Sequence, residues 1–101
     1  MDDRQYQFEW DDVKAAANER KHGVSFELAS TVFRDPRLLT LADLAHSEIE
    51  ERWFSIGRAS NGEMLSVAYL WSEHNTRTVE VRLISARQST RAEIREYEAN
   101  L

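Results

Sequence analysis

Apolar positions along the first third of the chain recur at helical spacing. Val13, Ala16 and Ala17 form one such set behind Asp11, and Phe26, Ala29, Val32 and Phe33 form another behind Ser25. Asp11 and Ser25 are residue types that accept hydrogen bonds from the free N–H groups of a first helical turn, so both read as N-caps. Lys21 and His22 fall in the last turn of the first helix, where cations meet the negative end of the helix dipole, and Gly23 follows at the position that favours a left-handed backbone. Asp35-Pro36 ends the second helix. From Leu38 the period shortens to two. Leu38 to Asp43, Arg52 to Ala59, Glu63 to Ser72 and Thr78 to Arg87 read as strands, preceded by a short one at Tyr6 to Trp10. Ser60-Asn61-Gly62 reads as a hairpin turn, because Asn-Gly accepts positive φ at low cost. The strand from Glu63 carries apolar residues on both faces, which predicts a central position. In the strand from Thr78, Val79, Val81 and Leu83 alternate with Glu80 and Arg82. Thr90 and Glu93 make a capping box for a last helix through Ile94, Tyr97 and Leu101.

The predicted order is β-α-α-β-β-β-β-α, an α+β fold with two N-terminal helices and one C-terminal helix on a mostly antiparallel sheet. At 101 residues the chain is expected to form a single domain over 1–101, and no linker, repeat or low-complexity stretch divides it. A composition of 42% hydrophobic and 31% charged residues supports a packed core. Without cysteine neither disulfides nor thiolate metal sites are expected, and His22, His46 and His74 lack the spacing of zinc ligands. The opening MDDRQYQFEW is acidic and without an apolar run, unlike a secretory signal, and no stretch approaches a membrane span. The expectation is a cytoplasmic protein without cofactor or membrane partner.

Charge is distributed unevenly around a net of −5. Residues 1–51 carry 12 acids against 6 bases, whereas 52–91 carry 3 acids against 6 bases, all of them arginine. The planar guanidinium fork suits phosphate oxygens. Arg82, opposite Val81 and Leu83 in a strand, is expected on a sheet face that the helices leave open, and Arg87 at that strand's end. Each also suits a plain ion pair: Arg82 with Glu80 or Glu63, Arg87 with Glu93. The loop His46-Ser47-Glu48-Ile49-Glu50-Glu51-Arg52 gathers an imidazole, adjacent carboxylates and a guanidinium, groups able to shift one another's pKa. Trp53, Tyr69 and Trp71 are candidates for base stacking, although two-sided strands bury such residues routinely.

Taken in order, Phe8-Glu9-Trp10-Asp11, Lys14-Ala15-Ala16-Ala17-Asn18, Lys21-His22-Gly23-Val24-Ser25-Phe26-Glu27, Phe33, His46-Ser47, Glu50-Glu51-Arg52, Ile56-Gly57 and Ile84-Ser85-Ala86-Arg87, with Glu93 and Tyr97, resemble the BrnT toxins of type II toxin–antitoxin pairs. The resemblance covers roughly residues 8–98. It departs at Asp12, where the family often has proline, in a longer turn from Ser72 to Thr78, and in the acidic net charge. It implies a RelE-like ribonuclease fold and RNA cleavage in the cytoplasm. It also implies a hetero-oligomer with a BrnA-type antitoxin carrying a ribbon-helix-helix part, through which operator DNA is contacted indirectly. RNA cleavage without a metal proceeds by 2′-OH attack on the adjacent phosphodiester, with a base, cations around the phosphorane and an acid for the leaving oxygen. Arg82, Arg87 and Arg52 are the candidates for the phosphate, and His46, Glu51 and His22 for proton transfer. Lys21, Arg58, Trp71 and Tyr97 are candidates for RNA contact, Tyr97 also as a proton donor. The competing readings are a binding module of the same shape that does not cut, and an interaction subunit whose acidic half docks a basic peptide.

Overall fold

The structure, a computed structural model, describes residues 4–42 and 52–100. Its elements run β1 (Gln5–Glu9), α1 (Asp12–His22), α2 (Phe26–Ser30), a 3-10 turn over Thr31–Arg34, β2 (Leu39–Ala42), β3 (Arg52–Arg58), β4 (Met64–Glu73), β5 (Thr78–Gln88) and α3 (Arg91–Ala99). This is the expected order with the 3-10 turn added. The five strands form one sheet in the order β1-β5-β4-β3-β2, with β4 central and every pairing antiparallel except β1 with β5.

Local signals set the element ends. Gly23 closes α1 at φ 71°, and its N–H donates to the Glu19 carbonyl. Ser25 caps α2 by accepting from the Leu28 N–H. Thr90 and Glu93 form the complete capping box of α3. Asp11 stands at the N-cap of α1 as expected but makes no side-chain cap bond; its carbonyl accepts from the Ala15 N–H instead. In the β3–β4 turn only Gly62 takes a positive φ, 90°, so Asn61 does not use the tolerance that suggested the turn.

The main core lies between α1, α2 and the 3-10 turn on one side and the sheet on the other. Val24, Phe26, Ala29 and Val32 pack against Leu65, Val67, Tyr69, Val79, Val81, Leu83 and Ala86. Gly57 lies close under this layer: a Cβ on it would stand 2.6 Å from Leu38 Cδ1 and 3.2 Å from Val32 Cβ, so both side chains would have to shift. Helix α3 packs on the other face, over Ile56, which is fully buried, and Ser66. That face is therefore partly covered, where the sequence predicted it open.

One irregularity decides which residues share a face. Ala68 pairs with Ser85 but Tyr69 pairs with Leu83, so Ile84 is an extra residue in β5. A bulge reverses the alternation of side chains beyond it. Arg82 and Arg87 are five positions apart and would point to opposite faces of a regular strand. With Ile84 inserted, Arg82 opposes Leu70 and Arg87 opposes Ser66, which lie on the same face of β4. On the outer side of β5 the parallel partner ends at the Glu9–Arg82 pair. Beyond it the buried Asn18 of α1 takes the place of a strand. Its Oδ1 accepts from the Ala86 N–H at 3.1 Å, and its Nδ2 donates to the carbonyls of Ala86 at 2.8 Å and Val24 at 3.1 Å.

Replacing Asn18 by alanine leaves those buried backbone groups unpaired, which costs about 2–4 kcal/mol at this density of bonds. Urea denaturation of Asn18→Ala, with a midpoint well below that of the unaltered chain, is the expected outcome.

Candidate active site on the arginine face

The face carrying Arg82 is built in rows across the strands. Arg52 opposes Leu70, which opposes Arg82, which pairs with Glu9; in the next row Phe54 opposes Ala68 and then Ser85. Arg52, Arg82 and Arg87 thus come from two strands onto one surface, with Leu70 and Phe54 as its apolar floor. Helix α3 covers the Ile56–Ser66 end, leaving the Arg52–Leu70–Arg82 row beyond it.

The arginines are held differently. Arg82 Nη1 donates to Glu9 Oε1 at 2.9 Å, both side chains being nearly half exposed. The expected strand partners Glu80 and Glu63 are not its partners, because the parallel β1–β5 pairing brings Glu9 alongside. Such an exposed pair contributes little to stability and exchanges readily for another anion. Arg87 is instead gripped at both nitrogens by Glu93, with two bonds of 2.8 Å, and lies over the Phe54 ring at 5.8 Å. Hydrogen bonds from Arg87, opposed by burial and aided by Thr90 and Ser66, hold the Glu93 carboxyl down at about 2. Arg87, expected at the phosphate, therefore docks the first turn of α3, and a phosphate reaches it only by displacing Glu93.

Arg58 shares the face by register with Met64, but its Nη1 donates to the Gly62 carbonyl at 2.9 Å, and its N–H to Asp35 Oδ2 at 2.8 Å. Tyr97 is almost wholly buried, and its hydroxyl donates to the same Asp35 oxygen at 2.6 Å. Burial raises the Tyr97 pKa and the Asp35 hydrogen bond raises it further. At Asp35 burial acts upward, but the bonds from Tyr97, Arg58 and Arg37 outweigh it and leave the carboxyl below its usual range. Tyr97 is thus a fastener between α3 and the corner before β2, not a side chain presented to a polymer.

Lys21 and His22 end α1, which packs on the opposite face of the sheet, so the structure does not bring them to Arg82. His46 and Glu51 lie outside the described residues; the chain leaves β2 at Ala42 and enters β3 at Arg52, beside the Arg52–Leu70–Arg82 row. Trp71 faces the other side, in a hollow of about 270 Å³ lined by Tyr6, Phe33, Leu38, Trp53 and Tyr69, with Arg4 over its ring at 5.4 Å. Tyr69 is buried and bonded to Ser55 at 2.7 Å, which removes it as a stacking platform.

Two participants escaped the sequence reading. Glu9 was hidden because only a parallel pairing across the whole chain places it at Arg82. His74, which the sequence left without a role, has Nε2 2.9 Å from Glu80 Oε2 on the arginine face. Its only signal was position in a turn joining two strands, the second of which carries Arg82. Among the described residues no group of His, Asp and Glu side chains is arranged to hold a metal ion, and no helix is long and apolar enough to cross a membrane.

A family model described as "Ribonuclease toxin, BrnT, of type II toxin-antitoxin system" matches residues 10–93. The chain belongs to the BrnT family. As a member it is a ribonuclease toxin of a type II toxin–antitoxin system, which implies RNA as substrate and an antitoxin protein as partner. Among solved structures it is similar to the Brucella abortus ribonuclease toxin BrnT, at a TM-score of 0.59 and 17% identity, over 86% of this chain and 100% of that one. At that identity the likeness establishes the fold: three helices on a mostly antiparallel five-stranded sheet are the BrnT architecture. No match was found among curated proteins.

The Glu93 carboxylate generates a prediction with a definite sign. Its folded pKa, about 2, lies below the ordinary 4.5, so its stabilisation is fully present above pH 4.5 and is lost as pH falls toward 2. Glu93→Gln is expected to cost about 1–2 kcal/mol at pH 7, after allowance for the exposed Arg87. It also flattens the acid limb of the stability–pH curve, measured by denaturation at a series of pH values.

Proposed function

We propose that this chain is an endoribonuclease that cuts RNA by attack of the 2′-OH on the adjacent phosphodiester, without a metal ion, at the Arg52–Leu70–Arg82 row. The observation that carries the reading is that row: guanidinium groups from β3 and β5 flank an apolar residue on a sheet face that α3 covers only in part. A phosphorane carries more charge than the ground-state diester, so arginines aimed at its oxygens favour the transition state over the substrate. Arg82 engages the scissile phosphate, exchanging Glu9 for it, because the single exposed bond to Glu9 is weakly held and the guanidinium fork can meet two phosphate oxygens at once. Arg52 contacts the same or the neighbouring phosphate, and Phe54 and Leu70 give a base an apolar floor. Glu51 or His46, in the segment that leads into Arg52, takes the 2′-OH proton.

The partner is a BrnA-type antitoxin with a ribbon-helix-helix part. It neutralises the toxin in a hetero-oligomer and touches operator DNA on the pair's behalf, in the cytoplasm. The acidic composition of residues 1–51 suits a basic docking segment of such a partner. One observation favours a non-cutting binding module instead: in the free chain both Arg82 and Arg87 face carboxylates.

Purified protein incubated with RNA separates the readings. The expected result is cleavage that persists in EDTA and leaves a cyclic phosphate, with Arg82→Ala slower by about 10²–10³-fold. Abolition by the chelator sinks the metal-free route, and a fully active Arg82→Ala removes Arg82 from the site. Absence of any cut, with no effect on growth, supports the binding module.

A further inference from the structure

Helices α1 and α2 lie over β5, and the short 3-10 turn lies over β3. Val79 and Val81 on β5 are fully enclosed beneath this layer, but Trp53 on β3 and Trp71 on β4 are left half-buried. Both line the hollow of about 270 Å³, together with the buried Tyr69 and the half-buried Tyr6 and Phe33. The rings do not fill the space by stacking flat on one another. Tyr6 meets Trp71 edge to face with centroids 5.8 Å apart, and Phe33 meets Tyr69 likewise at 4.9 Å.

The chain itself shows which charge this aromatic cluster attracts. The Arg4 guanidinium lies over the Trp71 ring at 5.4 Å, and its Nη1 donates to Glu73 Oε1 at 3.0 Å. Glu73 follows Trp71 by two residues on the same face of β4, so one guanidinium touches both an indole and a carboxylate. The face of an aromatic ring carries negative potential and holds a cation most firmly where water is excluded. The Arg4 and Glu73 side chains are 32% and 60% exposed, so this pair stands at the rim and is weakly held. Arg4 is not part of the lining of the hollow, which is left for another side chain. Its size narrows the choice. Sites for whole small molecules span about 300–1,000 Å³, whereas a smaller space suits one long side chain. The arginine row occupies the other face of the sheet, which separates the hollow from the RNA site of the reading above.

We propose that the hollow is a docking site for the antitoxin, seating one arginine of a basic segment. The aliphatic stem of that arginine lies along Tyr6, Trp53 and Tyr69, and its guanidinium meets the Trp71 ring and Glu73. The inference rests on the antitoxin partnership of the family and on the basic docking segment proposed above, and it is independent of how RNA is cut. Arginine suits the site because its stem covers apolar surface while its planar head stacks on an aromatic face. A partner held here grips the layer opposite the arginine row, so loss of the contact weakens neutralisation and leaves cleavage by the free toxin unchanged.

The test titrates the full chain with the blocked tripeptide glycyl-arginyl-glycine and with its citrulline counterpart, which keeps the shape and lacks the charge. Binding is followed by the NMR signals of the indole N–H groups. Trp10, which packs edge-on against Phe26 and does not line the hollow, is the internal control. The expected result is that the Trp53 and Trp71 signals move in a saturable way while that of Trp10 stays, with citrulline bound about 3–10-fold more weakly. Glu73→Gln weakens the arginine peptide about 2–5-fold, and Arg4→Ala, which frees the carboxylate and the ring, tightens it by a similar factor. Both variants cut RNA at the wild-type rate. Equal binding of the two peptides, movement of signals outside the hollow only, or weaker binding by Arg4→Ala overturns the proposal and leaves the ribonuclease reading standing. A chain that binds the arginine peptide at the hollow but cuts no RNA overturns that reading and leaves the docking site in place.

Discussion

A single extra residue in β5 governs the chemistry this surface can perform. Were Ile84 paired in regular alternation instead of bulged out, the side chains of Arg82 and Arg87 would fall on opposite sides of the sheet, and the row opposite Leu70 would lose its relation to the surface that α3 docks on. A bulge is stable only if the backbone groups around it are satisfied, and here the outer edge of β5 has no strand beyond Arg82. Asn18 supplies the missing donor and acceptor from a helix on the other side of the core. The face that binds phosphate in our reading is thus held in register by an amide buried in the opposite layer.

The two sides of the sheet divide the labour. The α1 and α2 side buries the aromatic and branched side chains that stabilise the domain, including Tyr69, whose hydroxyl is absorbed by Ser55. The α3 side keeps polar groups at half exposure and organises them through paired charges. Arg87 and Glu93 are a structural pair, bidentate and backed by Ser66 and Thr90. Arg82 with Glu9, and His74 with Glu80, are exposed pairs that contribute little to folding and exchange partners easily. That contrast, more than the number of arginines, separates groups that hold the fold from groups free to act. It also bears on the acidic net charge: in our reading the Glu9 carboxylate stands where a phosphate takes its place on Arg82.

Most of the architecture was legible in the sequence because its signals are local. Gly23, Ser25 and Thr90 act within a turn of where they stand, and the two-sided apolar pattern of β4 announced a central strand. What stayed hidden depends on partners distant in the chain. The parallel pairing that puts Glu9 beside Arg82 joins residues 73 positions apart, and the Tyr97–Asp35 bond spans 62. Ile84 has no compositional mark as a bulge, so strict alternation was the natural expectation for β5. The candidate site was legible in its arginines and in the Arg87–Glu93 pair, but not in the Glu9 partner of Arg82. Of the proton-transfer candidates, Tyr97 is enclosed, His22 belongs to the other layer, and His46 and Glu51 lie in the segment outside the described residues.

The sheet order carries a consequence for the birth of the molecule. β5 lies between β1 and β4, so the first strand made has no neighbour until nearly the last is available. A chain still emerging from the ribosome can close the β3–β4 hairpin, but Glu9, Arg82 and the Arg52 row come together only once residue 88 has been added. In our reading of the arginine row, a chain that stops short of β5 carries no assembled site.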